Sequence, residues 1–120
     1  MEGLISYLKY NGEIYGGIYM DIIENFIVKF KKGFNSEILE YVFTQGNCYH
    51  FSAILDNLFE GGIVYNPIEG HFLFESDNVF YDITGKVNEP KYYDFLWTIA
   101  EYDTDYYIRL MADCAELTTR

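Results

Sequence analysis

The stretch GNCYHFSAILDNLFEGGIVYNPIEGHFLFESDNVFYDITG, residues 46–85, decides the fold, because the spacing of its apolar residues changes midway. Phe51, Ile54, Leu55, Leu58 and Phe59 recur at helical spacing after the Gly46-Asn47 break, so a helix is expected to open at Cys48 and stop at Gly61-Gly62. Past those glycines the spacing shortens to that of strands. The runs Ile63-Val64-Tyr65, His71-Phe72-Leu73-Phe74 and Val79-Phe80-Tyr81-Asp82-Ile83 are each bounded by Asn, Pro, Gly, Asp or Ser, which predicts three short antiparallel strands.

Working outward, Ile18, Ile22, Phe26 and Phe30 repeat every four residues, with Ile23 and Ile27 widening the stripe, and predict an amphipathic helix from Ile18 to Gly33. Ser36 is read as the N-cap of a second helix carrying Leu39, Val42 and Phe43 as far as Gly46. Leu4–Leu8 reads as a short helix or strand, and Glu13-Ile14-Tyr15 as turn-prone between Asn11-Gly12 and Gly16-Gly17. On the C-terminal side, Pro90 is placed in the first turn of a helix carrying Phe95, Leu96 and Ile99. Asp103 or Thr104 caps a last helix carrying Tyr107, Leu110, Met111 and Cys114, with fraying expected after Leu117. Nothing resembling a linker or repeat interrupts the chain, so residues 1–120 are expected to form one α+β domain. N-terminal helices lie in 1–45, the Cys helix and antiparallel strands in 46–85, and C-terminal helices in 90–117.

Half of the 120 residues are hydrophobic, enough for a continuous core, and 13 Tyr and 10 Phe make that core ring-rich. The formal net charge is -11, and since Lys9, Lys29, Lys31 and Lys32 balance four acids in residues 1–32, the excess lies in 33–120. Such a surface repels phosphate backbones and suits a basic protein partner, which disfavours direct nucleic-acid binding. Two Cys are too few for a disulfide framework, no secretory signal pattern opens the chain, and charges interrupt every apolar run. A cytoplasmic protein without a membrane span is expected.

Cys48 carries the chemical interest. A thiol at a helix N-terminus faces unpaired backbone N–H groups and the positive end of the helix dipole, which favour thiolate and can hold an oxyanion. A base must reach it from another element, and His71 starts a strand after the Gly70 turn. Asp82 lies on the following strand, and pairing through the Ser76-Asp77-Asn78 turn would set it beside His71 to hold the imidazole. His50 is the weaker base, because two helical positions are about 200° apart around the axis. Each residue also has a plain structural reading: Cys48 as a small buried hydrophobe, His71 as a satisfied core His, Asp82 as a turn cap.

Gly46-Asn47-Cys48, His71-Phe72-Leu73-Phe74-Glu75 and Tyr81-Asp82-Ile83-Thr84-Gly85 together resemble the core of papain-like and transglutaminase-like cysteine domains, here in a minimal bacterial or phage form. The resemblance implies a Cys-helix on an antiparallel sheet, a Cys-His-Asp triad of Cys48, His71 and Asp82, and chemistry through a thioester. It also suggests Gln45 as an oxyanion donor, against its plainer reading as a helix-end surface residue. The implied function is a cysteine-dependent hydrolase or acyltransferase acting on a protein or peptide substrate.

The alternative is a non-catalytic acidic inhibitor, for example a phage-encoded, anti-CRISPR-like protein that covers a basic nucleic-acid-binding site on a host protein. Its candidate face is Asp94, Glu101, Asp103 and Asp105 with Tyr102 and Tyr106, since tyrosines among acids suit Arg-rich partners. Cys48, His50, His71 and Cys114 have no metal-knuckle spacing, and no Gly-rich phosphate loop occurs, so neither a metal nor a cofactor is expected.

Overall fold

The computed structural model describes residues 13–15, 18–33, 35–44 and 47–119. A two-stranded hairpin, β1 (Glu13–Tyr15) and β2 (Ile18–Met20), leads into helices α1 (Ile22–Lys32), α2 (Ser36–Thr44) and α3 (Cys48–Leu58). Strands β3 (Gly62–Asn66), β4 (His71–Ser76), β5 (Val79–Asp82), β6 (Gly85–Val87) and β7 (Asp94–Phe95) follow, then helices α4 (Leu96–Tyr102) and α5 (Thr104–Thr119). The five later strands form one antiparallel sheet in the order β6-β5-β4-β3-β7, with the helices packed on it, an α+β architecture.

The main core lies between α1, α3 and the sheet, where Ile23, Ile27, Phe51, Leu55, Phe74, Tyr81 and Ile83 close on one another. Each such large side chain contributes about 1.5–3 kcal/mol by leaving water. A second cluster joins Cys48 and Phe72 to Leu96, Ile99, Leu110 and Cys114 of the last two helices. On the opposite face of the sheet Val64, Leu73 and Phe80 pack under Tyr93 and Phe95. This alternation fixes β4: Phe72 and Phe74 belong to the clusters shared with the helices, whereas Leu73 joins the cluster of the other face.

Several boundaries differ from the sequence reading. The first helix starts at Ile22 instead of Ile18, because Asp21 accepts from the Glu24 amide at 2.8 Å while Glu24 reaches back to the Asp21 amide at 3.3 Å, a complete capping box. Ile18–Met20 pairs with Glu13–Tyr15, so the predicted turn there is a strand. Asn35, not Ser36, caps α2 through the Ile38 amide. The Cys helix stops at Leu58, since Gly62 already pairs with Glu75. Gly61 (φ 156) passes so close to β4 that a Cβ there would fall 2.1 Å from the Glu75 carbonyl oxygen. No helix begins at Pro90; Asp94 and Phe95 instead add an edge strand to Tyr65 and Val64, and the helix waits until Leu96. The sheet therefore has five strands where three are predicted, and α5 continues to Thr119. Asp103 caps α5, its carboxylate accepting from the Tyr106 amide. Leu4–Leu8 lies outside the described residues.

Candidate functional site

The β4–β5 hairpin sets the site's geometry. Asp77 (φ 51) and Asn78 (φ 64) both take left-handed backbone, the two-residue turn whose twist suits paired strands and which Asn and Asp tolerate. The resulting register pairs Phe74 with Tyr81 and Glu75 with Phe80. Continued by one step, it sets Leu73 opposite Asp82 and makes His71, two residues back on the same face, a diagonal neighbour within side-chain reach. His71 Nε2 lies 3.2 Å from Asp82 Oδ2.

Local turns hold both partners. The Asn66 side chain accepts from the amides of Ile68 and Glu69, and Gly70 takes φ 62, which ends the loop and starts β4 at His71. Asp82 Oδ1 accepts from both the amide and the hydroxyl of Thr84, so one carboxylate oxygen is fixed by the turn while the other faces His71. Thr84 belongs to the quoted motif but received no role from the sequence. The Asp-x-Thr spacing at a turn is the signal that marks it.

Cys48 enters from α3. The ladder between β4 and β5 begins at Phe74, so the Phe72 amide lies beyond it and donates to Cys48 Sγ at 3.4 Å. The His71 ring and the Tyr49 amide also act on the thiol. With Nε2 engaged by Asp82, Nδ1 is the imidazole nitrogen left for sulfur. Asn47 makes no side-chain cap to α3, and its carbonyl accepts from the His50 and Phe51 amides, which leaves the Tyr49 amide for the thiol.

The charges respond as this arrangement requires. Burial pushes the Cys48 thiol up, but the His71 hydrogen bond, the Phe72 amide, the charge on His71 and the Tyr49 amide outweigh it and hold the thiol below its ordinary 9.0. Hydrogen bonds to Asp82 and then to Cys48 overcome burial and push His71 up to about 10. Burial opposes ionisation of Asp82, yet His71 and Thr84 hold it below its ordinary 3.8. All three shifts favour the ionised forms, a thiolate–imidazolium pair braced by a carboxylate.

His71 and Asp82 form part of the wall of a groove of about 450 Å³, completed by Ile68, Glu69, Glu89 and Tyr92 among others. Cys48 does not line that groove and is 8% exposed. His50 stacks edge-on against Tyr49. Gln45 lies outside the described residues. Of the acidic face, Asp94, Glu101, Asp103 and Asp105 are exposed and Tyr102 is 76% exposed, whereas Tyr106 is half-buried against Tyr65. Asp94 belongs to β7 and not to a helix. Among the described residues no group of three His, Cys, Asp or Glu is placed to hold a metal ion, and no helix is long and apolar enough to cross a membrane.

Fold and site together describe a small α+β domain in which a thiol, an imidazole and a carboxylate meet where a helix start abuts two strands. The chain belongs to the family described as Phage YunG-like protein, whose profile matches residues 26–117 and so spans all three groups. No curated protein and no solved structure matches it.

Proposed function

We propose that the protein is a cysteine-dependent hydrolase or acyltransferase with a minimal papain-like or transglutaminase-like core. The observation that carries this reading is His71, which lies 3.2 Å from Asp82 and lowers the Cys48 thiol, and so links nucleophile, base and orienting carboxylate. In the reaction, Cys48 thiolate attacks the carbonyl carbon of an amide. The Cys48 N–H supports the resulting oxyanion, and the His71 imidazolium gives its proton to the leaving amine as the C–N bond breaks. Water or a second amine, deprotonated by His71, then attacks the thioester and releases Cys48. Asp82 keeps Nε2 protonated and the ring aligned throughout. The substrate is a protein or peptide amide. The phage description of the family fits action in the cytoplasm of a host cell.

The test is to trap the acyl-enzyme. Incubation with a panel of peptide amides and glutamine-containing peptides, followed by acid quench and intact-mass measurement, should show an adduct on the wild type that hydroxylamine removes and that Cys48→Ala never forms. Absence of any adduct across the panel contradicts catalysis.

A second reading is supported by the shielding of Cys48 from the groove together with the exposed acids and Tyr102: a non-catalytic inhibitor that covers a basic surface of a host protein. Under it, changing Asp94, Glu101, Asp103 and Asp105 to Asn or Gln abolishes the cellular effect while Cys48→Ala is silent. The first reading gives the reverse pattern.

A further inference from the structure

The chain has a single tryptophan, and it is not in the core: Trp97 of α4 is 61% exposed. It lines a second cavity of about 440 Å³, together with Tyr49 and Asp56 of α3, Tyr107 of α5 and the Gly61-Gly62 backbone. The lining thus holds three electron-rich rings and one carboxylate, and no basic side chain. No hydrogen bond or ion pair engages the Asp56 carboxylate among the described residues. Burial, then the proximity of Tyr107, Cys114 and Asp56, pushes the Tyr49 phenol up. Asp56, exposed yet partly shielded by the cavity wall, is raised by that partial desolvation.

Rings around a carboxylate favour one kind of guest. A cation over the faces of Trp and Tyr is attracted by their quadrupoles, most strongly by Trp, and the carboxylate supplies the counter-charge. An anion would meet Asp56 unpaired, and a neutral apolar guest would leave the carboxylate desolvated without compensation. We infer that the cavity between α3, α4 and α5 is a binding site for an organic cation, a quaternary ammonium or a guanidinium. Its shape and chemistry do not depend on the thiol cluster, so it stands whether or not Cys48 is a nucleophile.

Because Trp97 is the only tryptophan, its emission reports this site directly. Titrating the full-length protein with choline at ionic strength held constant with sodium chloride should change Trp97 emission saturably. The neutral carbon isostere of choline, with a tert-butyl group in place of the trimethylammonium, should need at least about tenfold more ligand. Asp56→Asn should weaken choline by about tenfold, and Asp56→Lys, which supplies its own cation, should abolish the response. Asp56 is exposed, so both variants should keep the wild-type circular dichroism. Tighter saturation by N-acetylarginine amide than by choline assigns the cavity to a basic peptide side chain, and the reverse to a free quaternary ammonium. A response without saturation, equal binding of the neutral isostere, or an unchanged half-saturation in folded Asp56→Asn overturns the inference.

Discussion

Cys48 and Cys114 are buried to nearly the same degree, 8% and 7% exposed, within one apolar cluster, yet their thiols move in opposite directions. Burial, with the nearby charges of Cys48 and Asp113, pushes Cys114 up to about 11. Cys48 meets the same burial and is nevertheless held below 9.0, because a helix start, a freed strand amide and an imidazole converge on its sulfur. Burial pushes a thiol up, and hydrogen-bond donors at the end of a β-ladder reverse that.

The largest expected effect is on reactivity. Near neutral pH the thiolate fraction of Cys48 should exceed that of Cys114 by at least about a hundredfold, and the lower intrinsic nucleophilicity of the more acidic thiol removes about tenfold of this. Iodoacetamide should therefore label Cys114→Ala at least about tenfold faster than Cys48→Ala. Equal slow labelling of the two variants would erase the contrast.

His71→Ala should make Cys48 behave like Cys114, with labelling slowed about tenfold or more and its pH midpoint moved above the ordinary thiol range. A smaller effect is expected for Asp82→Asn, which keeps the shape and loses the charge. Labelling should fall about threefold, while the pH dependence of stability changes more visibly. His71 is raised on folding, so its contribution to wild-type stability is full below about 6.5 and is lost as pH rises toward about 10. Asp82 is lowered, so its contribution is present above 3.8 and is lost as pH falls further. Urea unfolding across this range should show both slopes in the wild type and a flattened profile in Asp82→Asn; unchanged slopes would mean that the pair is not formed.

Much of this contrast can be read from the residues, and the unread part has physical causes. The His71–Asp82 pairing follows from hairpin arithmetic, since Asp77-Asn78 forces a tight turn and the period of two does the rest. The helices follow from apolar spacing, although Ile18 continues that spacing into a strand, so only the capping pair Asp21 and Glu24 marks the true start. Strands of two or three residues, such as Asp94–Phe95 and Gly85–Val87, are too short to show a period. The Phe72 amide on Cys48 has no sequence signal, because every non-proline residue carries the same donor and only the length of the ladder frees it. Nor does the bond from Tyr81 to Asp21 at 2.6 Å, which ties β5 to the start of α1 across 60 residues and is braced by Lys86.

The smallest effect tests how local the site is. Ser52 lies one turn after Cys48, is fully buried, and its hydroxyl has no hydrogen-bond partner among the described residues. Ser52→Ala removes a desolvated polar group, so it should raise stability by up to about 1 kcal/mol and leave Cys48 labelling unchanged. A loss of stability would show that the hydroxyl has a partner after all.

The central claim is that partners, not burial, set the charge of Cys48, and the direct measurement is the ultraviolet absorbance of its thiolate against pH in Cys114→Ala, where it is the sole thiol. The account predicts ionisation with a midpoint clearly below 9.0, moved above it when His71 is also replaced by Ala. A midpoint at or above 9.0 with His71 in place would contradict it.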